Sequence, residues 1–207
     1  ETFNALEHCH FSRNFATQMS GGVIHVESVP NTLVRSCFFE QNYAETEGGA
    51  IEIAGGTDTV NLLIQNVTSL SNSCHGFGGF LGAAKVHAVM WNSTFSHCRA
   101  GGGGGGLFLQ LSDLRVEGCS FAECSTDFDG GAIKLVDSAA TVSWTNVSFC
   151  TASDGGGIVV VQQQVSDSTT LVKSHGVFTS VRFIHNKALY GGAVAFVDPV
   201  IASVINH

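Results

Sequence analysis

The chain has 207 residues, 44% of them hydrophobic and only 13% charged, and its nine Lys and Arg against 17 Asp and Glu give a net charge of −8. The cations stand singly with no basic stripe, which disfavours nucleic acid, an anionic membrane surface or a polyanionic glycan as partner. The mean hydropathy is +0.23, yet Gly, Ser, Asn and Thr interrupt every apolar run well short of the ~18 residues that span a bilayer.

Taken in chain order, the elements repeat one frame. Phe11 is followed three residues later by Asn14, then by Gly21-Gly22 and an apolar run entered at Ile24. Phe39, Asn42, Gly48-Gly49 and Ile51 repeat that order, as do Ser69, Asn72, Gly78-Gly79 and Leu81 with Ser in the Phe position. The fourth unit reads Phe95, Cys98, Gly105 and Phe108; the fifth Phe121, Cys124, Gly130 and Ile133. Phe149, Ala152, Gly156 and Val159 form the sixth, and Phe183, Asn186, Gly191 and Val194 the seventh. The glycine pairs are spaced 27, 30, 27, 25, 26 and 35 residues apart, and self-similarity at such a period denotes a stack of units rather than one folded core.

Within each unit the residues alternate. Two positions before the Phe stand Cys9, Cys37, Val67, Ser93, Cys119, Val147 and Val181, while the residue between is mostly polar. This is the period of two expected of a strand with one buried face, and it puts Trp91 and Trp144 on the inward parity. After the glycines the apolar column points in, and His25, Glu52, Gly82, Leu109, Lys134, Val160 and Ala195 point out. Turn residues at Pro30-Asn31, Gly55 to Asp58, Ser112-Asp113, Asp137-Ser138 and Asp198-Pro199 separate the units. No helical pattern of useful length occurs. The expected fold is therefore all-β: a parallel β-helix, or solenoid, of about seven coils with a period of about 27 residues, each strand pairing with its copy one coil away. Residues 1–207 read as one segment of a longer repeat protein, broken by a polar loop insertion at 162–174 that projects from one face and is the candidate for a specific contact.

Three sequons, at Asn66, Asn92 and Asn146, each lie three residues before the Phe position on the outward parity, so N-linked glycans and a secretory route are expected. Among the seven cysteines, Cys9 with Cys37 and Cys98 with Cys124 fall at equivalent positions of adjacent coils and are disulfide candidates; Cys150 competes for Cys124, and an odd count leaves one thiol over. Asp129 and Asp154 precede the glycines of adjacent coils and with Asp127 offer carboxylates for calcium, short of the six or more oxygens such a site needs. His8, Cys9 and His10 have no second half at zinc spacing. The glycines at 101–106 lack the Lys-Ser/Thr ending of a phosphate loop. The outward columns repeat no charge type, so neither catalytic nor cofactor-binding nor metal-ligating residues are assigned.

The frame Phe39-Glu40-Gln41-Asn42 followed by Gly48-Gly49-Ala50-Ile51, and again Phe183 to Asn186 followed by Gly191 to Val194, resembles the FxxN and GGA(I/L/V) repeats of the chlamydial polymorphic outer membrane proteins, over essentially the whole chain. That resemblance implies the pectin-lyase-like right-handed β-helix and a non-enzymatic adhesive or structural region exposed at a cell surface. Cys98 and Cys124 depart from it, and the sequons favour a eukaryotic secreted or surface glycoprotein, part of a filament or appendage, whose partners are other copies or other surface proteins. The alternative is a pectin-lyase-like carbohydrate-active enzyme or carbohydrate-binding module.

Overall fold

The structure is a computed structural model that describes residues 3–162 and 174–197. Most of the insertion expected at 162–174 and the turn at Asp198-Pro199 lie outside those residues. Every strand pairs parallel with its copy in the next coil, and the described residues contain no helix. The third coil is representative: Val60–Gln65, Thr68–Leu70, Ser73–Cys74 and Leu81–Ala84 follow one another around the turn. Their counterparts build four sheets. Sheets I, II and IV have seven strands each, running from Asn4–Glu7 to His175–Thr179, from His10–Ser12 to Arg182–Ile184 and from Ile24–Glu27 to Val194–Val197; sheet III has five two-residue strands. The all-β parallel solenoid expected from the repeat is the fold.

Inward columns make the core. In sheet II, Phe11, Phe39, Ser69, Phe95, Phe121, Val147 and Phe183 lie in register. Phe11 stacks on Phe39 at 5.0 Å and Phe95 on Phe121 at 4.8 Å. The ring missing at Ser69 is supplied by Phe80, fully buried between Phe39 at 5.4 Å and Phe95 at 5.1 Å. Close packing does not tolerate a ring-sized void, and Phe from the opposite leg of the same coil fills it.

This register corrects the sequence frame in three places. Val147, not Phe149, continues the Phe column. A slip of two residues keeps the inward parity, so alternation could not reveal it. Leu107 and Ile158, not Phe108 and Val159, occupy the inward column of sheet IV, and Gly104 and Gly155, not Gly105 and Gly156, are the left-handed glycines that open it, with φ of 66° and 58°. Runs of consecutive glycines hid that one-residue offset. Phe108 and Val159 therefore point outward with Glu52 and Lys134, each still buried under the turn that crosses the sheet.

The corners are built from single left-handed residues. Between sheets I and II stand His8, Ser36, Asn66, Asn92, Gly118, Trp144 and Ser180; between sheets II and III stand Arg13, Gln41, Ser71, His97, Glu123, Phe149 and His185; all have φ between 46° and 64°. A non-glycine residue there carries about 1–2 kcal/mol of strain; the next residue turns inward, and where it is Asn, Ser or Thr it hydrogen-bonds across coils. In the second corner this inward column reads Asn14, Asn42, Asn72, Cys98, Cys124, Cys150 and Asn186. The Asn42 carboxamide oxygen accepts the backbone N–H and the side-chain amide of Asn14, both at 2.9 Å, while its own amide donates to Phe11 O at 3.1 Å and Asn72 Oδ1 at 2.9 Å. In the first corner, Ser93 and Thr145 do the same work by accepting Val67 N–H at 3.1 Å and Cys119 N–H at 3.3 Å.

Candidate functional site

A solenoid offers ligands its outward faces, since its interior is filled. On sheet I the outward residues of successive coils form a groove of about 410 Å³ lined by His87, Asp113, Arg115, Thr141 and His175, with Ala139 and Ala140 along its floor. His87 Nδ1 lies 3.0 Å from Asp113 Oδ2, and the Arg115 guanidinium donates to Glu117 Oε2 at 3.0 Å. Trp91 lies on this same face, in ladder with Gln65 and Glu117, with its indole N–H buried and without a hydrogen-bond partner. The inward placement expected for Trp91 and Trp144 is thus wrong for both: Trp144 is a left-handed corner residue, 68% exposed.

Sheet IV carries a second cluster. His25 and Glu52 are register neighbours, and His25 Nδ1 approaches Glu52 Oε2 to 2.5 Å. Burial pushes the Glu52 carboxyl above the ordinary glutamate range, although His25 opposes the shift. Burial raises Glu47 as well, and the neighbouring Glu52 charge adds to it. Three coils on from Glu52, Lys134 is pressed under the turn. Its ammonium lies 5.3 Å from the Phe77 ring centre and donates to Asp129 Oδ2 at 3.2 Å, while Phe77 stacks on Phe108 at 4.7 Å.

The residues singled out from sequence fall as follows. Asn66, Asn92 and Asn146 are all exposed, but they do not share one register. Asn66 and Asn92 are consecutive left-handed corner residues, whereas Asn146 lies in the strand, paired with Ser120 and Arg182. This follows from the two-residue slip at Val147. Cys9 and Cys37 are stacked in the first-corner column, and Cys98, Cys124 and Cys150 in the second; all seven thiols are unlinked. Cys124 holds its proton because its thiol can donate to Cys150 and to Cys98, and burial acts the same way. Cys74, buried near the Glu47 charge, is pushed up to about 12. Asp129 and Asp154 are register neighbours, as their place before the glycines implied. Their surroundings are cationic in part: Lys134 takes Asp129, and Arg99 donates to both oxygens of Asp127 at 3.1 Å. Among the described residues no group of three or more His, Cys, Asp and Glu is placed to hold a metal ion. His8, Cys9 and His10 are spread over corner, core and outer face.

Missed in the sequence were the His25, Glu47 and Glu52 cluster and the sheet I groove. The outward column already set Glu52 next to His25, but nothing in it marked their burial, and the His87 and Asp113 column was not read. No curated protein and no solved structure matches the chain. One family model, described as a right handed beta helix region, matches residues 4–179.

Proposed function

Because the chain belongs to the right-handed β-helix family, we propose that it serves as a non-enzymatic structural or adhesive module of an extracellular or cell-surface glycoprotein, a stiff rod displaying its faces to other copies or other surface proteins. The observation that carries this reading is the use made of outward charge. Glu7 pairs with Arg35 at 2.6 Å, Arg99 with Asp127 at 3.1 Å, His87 with Asp113 at 3.0 Å and His97 with Glu123 at 3.1 Å, each across one coil boundary. Exposed pairs of this kind contribute little each, ~0–1 kcal/mol, but they spend the surface charge on registering coil against coil. The likeness of the Phe39 to Ile51 frame to the chlamydial polymorphic outer membrane protein repeats supports the adhesive side of the proposal. The exposed sequons support the glycoprotein side, and a Cys9–Cys37 disulfide in an oxidising compartment would accord with it.

A second reading, a carbohydrate-binding module or carbohydrate-active enzyme, is favoured by the sheet I groove, which two imidazoles, a guanidinium and a carboxylate line together. One experiment separates the two. The chain secreted from eukaryotic cells is incubated with a panel of neutral and acidic polysaccharides, and its glycopeptides are mapped. Sugar at the sequons with no saccharide released upholds the module; release that is abolished by D113N would overturn it.

A further inference from the structure

Of the three sequons, Asn146 stands apart in what surrounds it. Two residues before Asn66 and Asn92 stand Ile64 and Met90, each fully buried. Two residues before Asn146 stands Trp144, 68% exposed, with only the inward-facing Thr145 between them, itself 1% exposed. Trp144, at the corner, and Asn146, at the start of the strand that follows it, are thus both exposed on one coil, within roughly 7 Å of chain rise. The coils above and below leave the indole bare, because its corner neighbours are Gly118 and Ser180: the Gly118 N–H donates to Ser143 O at 3.1 Å, and the Trp144 N–H to Thr179 O at 3.1 Å. In the ladder of Asn146 the neighbour on one side is Ser120, too small to cover the ring.

Asn66 and Asn92 have the opposite surroundings. They occupy consecutive positions of one corner column, about 4.8 Å apart, and the Asn92 carboxamide lies against Gly118, where an added Cβ would stand 2.8 Å from Asn92 Oδ1. Sugars on both would compete for one space, and the aromatic residue next to them, Trp91 on the adjoining face of sheet I, has its indole N–H buried.

Resting on the glycoprotein reading above, we infer that Asn146 carries an N-glycan whose first sugar lies on the face of the Trp144 indole. A pyranose ring presents a face of C–H groups, and covering an exposed aromatic face with it removes apolar surface from water on both sides. The sugar does for Trp144 what a side chain from the next coil does for the buried rings of the core. Asn146 is then a site at which glycosylation contributes to the stability of the coil, whereas Asn66 and Asn92 carry sugar only as display.

The test uses the full chain secreted from eukaryotic cells in a W91F background, so that Trp144 is the sole tryptophan. Glycopeptide mapping reads occupancy, and acrylamide quenching of fluorescence reads access to the indole. The expected result is sugar at Asn146, lower quenching in the glycosylated protein than in S148A, which lacks the sequon, and no change when the glycan is trimmed to its first sugar. Enzymatic removal of the whole glycan from folded protein replaces S148A if that variant does not fold. Occupied Asn146 with equal quenching before and after removal overturns the packing and leaves the glycoprotein reading intact. Sugar at Asn66 or Asn92 but not Asn146 likewise overturns the inference alone, while bare asparagines at all three positions overturn both.

Discussion

Asn42 shows how much a single position carries. Its carboxamide satisfies groups on both neighbouring coils, with the Phe11 carbonyl and the Asn14 amides on one side and Asn72 on the other. N42A leaves the Asn14 backbone N–H without its acceptor and takes from the Phe11 carbonyl the bond it accepts beside its strand ladder, and at ~1–3 kcal/mol per buried unsatisfied group the expected loss is about 2 kcal/mol in urea unfolding. Gly49 is constrained in another way, because a Cβ there would run into the carbonyl oxygens of Gly79 and Ser73, so the second glycine of the pair is demanded by close approach of the coils. Glu47 and Glu52 are held above their ordinary range by burial, so the folded chain binds their protons more tightly than the unfolded chain does. Their contribution to stability is complete below the ordinary glutamate pKa of about 4.3 and is lost as pH rises through the raised values. E47Q is therefore expected to be more stable than the parent at neutral pH, with the difference disappearing near about pH 4; thermal melts across that range read it, and a constant difference would refute the assignment.

At the scale of the element, the ladder rather than the strand is the unit of stability. Strands of two to six residues cannot hold themselves, and each is fixed by inward contacts with its copies. Phe80 is the clearest case, since it repairs a ladder that Ser69 interrupts. F80A removes a fully buried ring from between Phe39 and Phe95, and a loss of about 3–5 kcal/mol is expected; S69F in the same background should recover part of it by restoring the ring in register. The second-corner column shows a ladder changing chemistry without changing geometry. Asn14, Asn42 and Asn72 give way to Cys98, Cys124 and Cys150 and then to Asn186, whose Oδ1 accepts the Cys150 N–H at 2.9 Å. Thiols are weaker hydrogen-bonding groups than carboxamides but bury at little cost, so the middle coils exchange hydrogen bonds for apolar packing, with Cys98, Cys124 and Cys150 all at 0% exposure.

For the whole molecule, stability is a sum of coils and of the contacts between neighbouring coils. One consequence can be checked directly. Deleting residues 95–120 joins Thr94 to Phe121, and because Thr94 is in register with Ser120 and Phe95 with Phe121, the junction reproduces a native one. The shortened chain is expected to keep its β-sheet circular dichroism and to melt cooperatively, whereas removing about half a coil, residues 95–107, breaks every ladder and should leave no cooperative transition. If both deletions behave alike, nearest-neighbour stacking is not what holds the molecule.

The repeat, its period, the parallel pairing of equivalent strands and the alternation of faces were all legible in the sequence, because a solenoid writes its long-range contacts as local self-similarity. Phe39, Asn42 and Gly48 each stand where their copies one unit away announced them. Exact register was not legible where the code is degenerate. Phe149 and Val147 share a parity, and within the glycines at 101–106 no residue marks the corner, so only the competition for interior space placed Val147 and Leu107 inside and sent Phe149 to a left-handed turn. Nor could the chain alone show the filling of the Ser69 gap by Phe80, the exposure of Trp144 beside Asn146 or the burial of Glu52 against His25. Those depend on which side chains meet across a coil or between coils, and such meetings are decided by packing in three dimensions, to which spacing along the chain is blind.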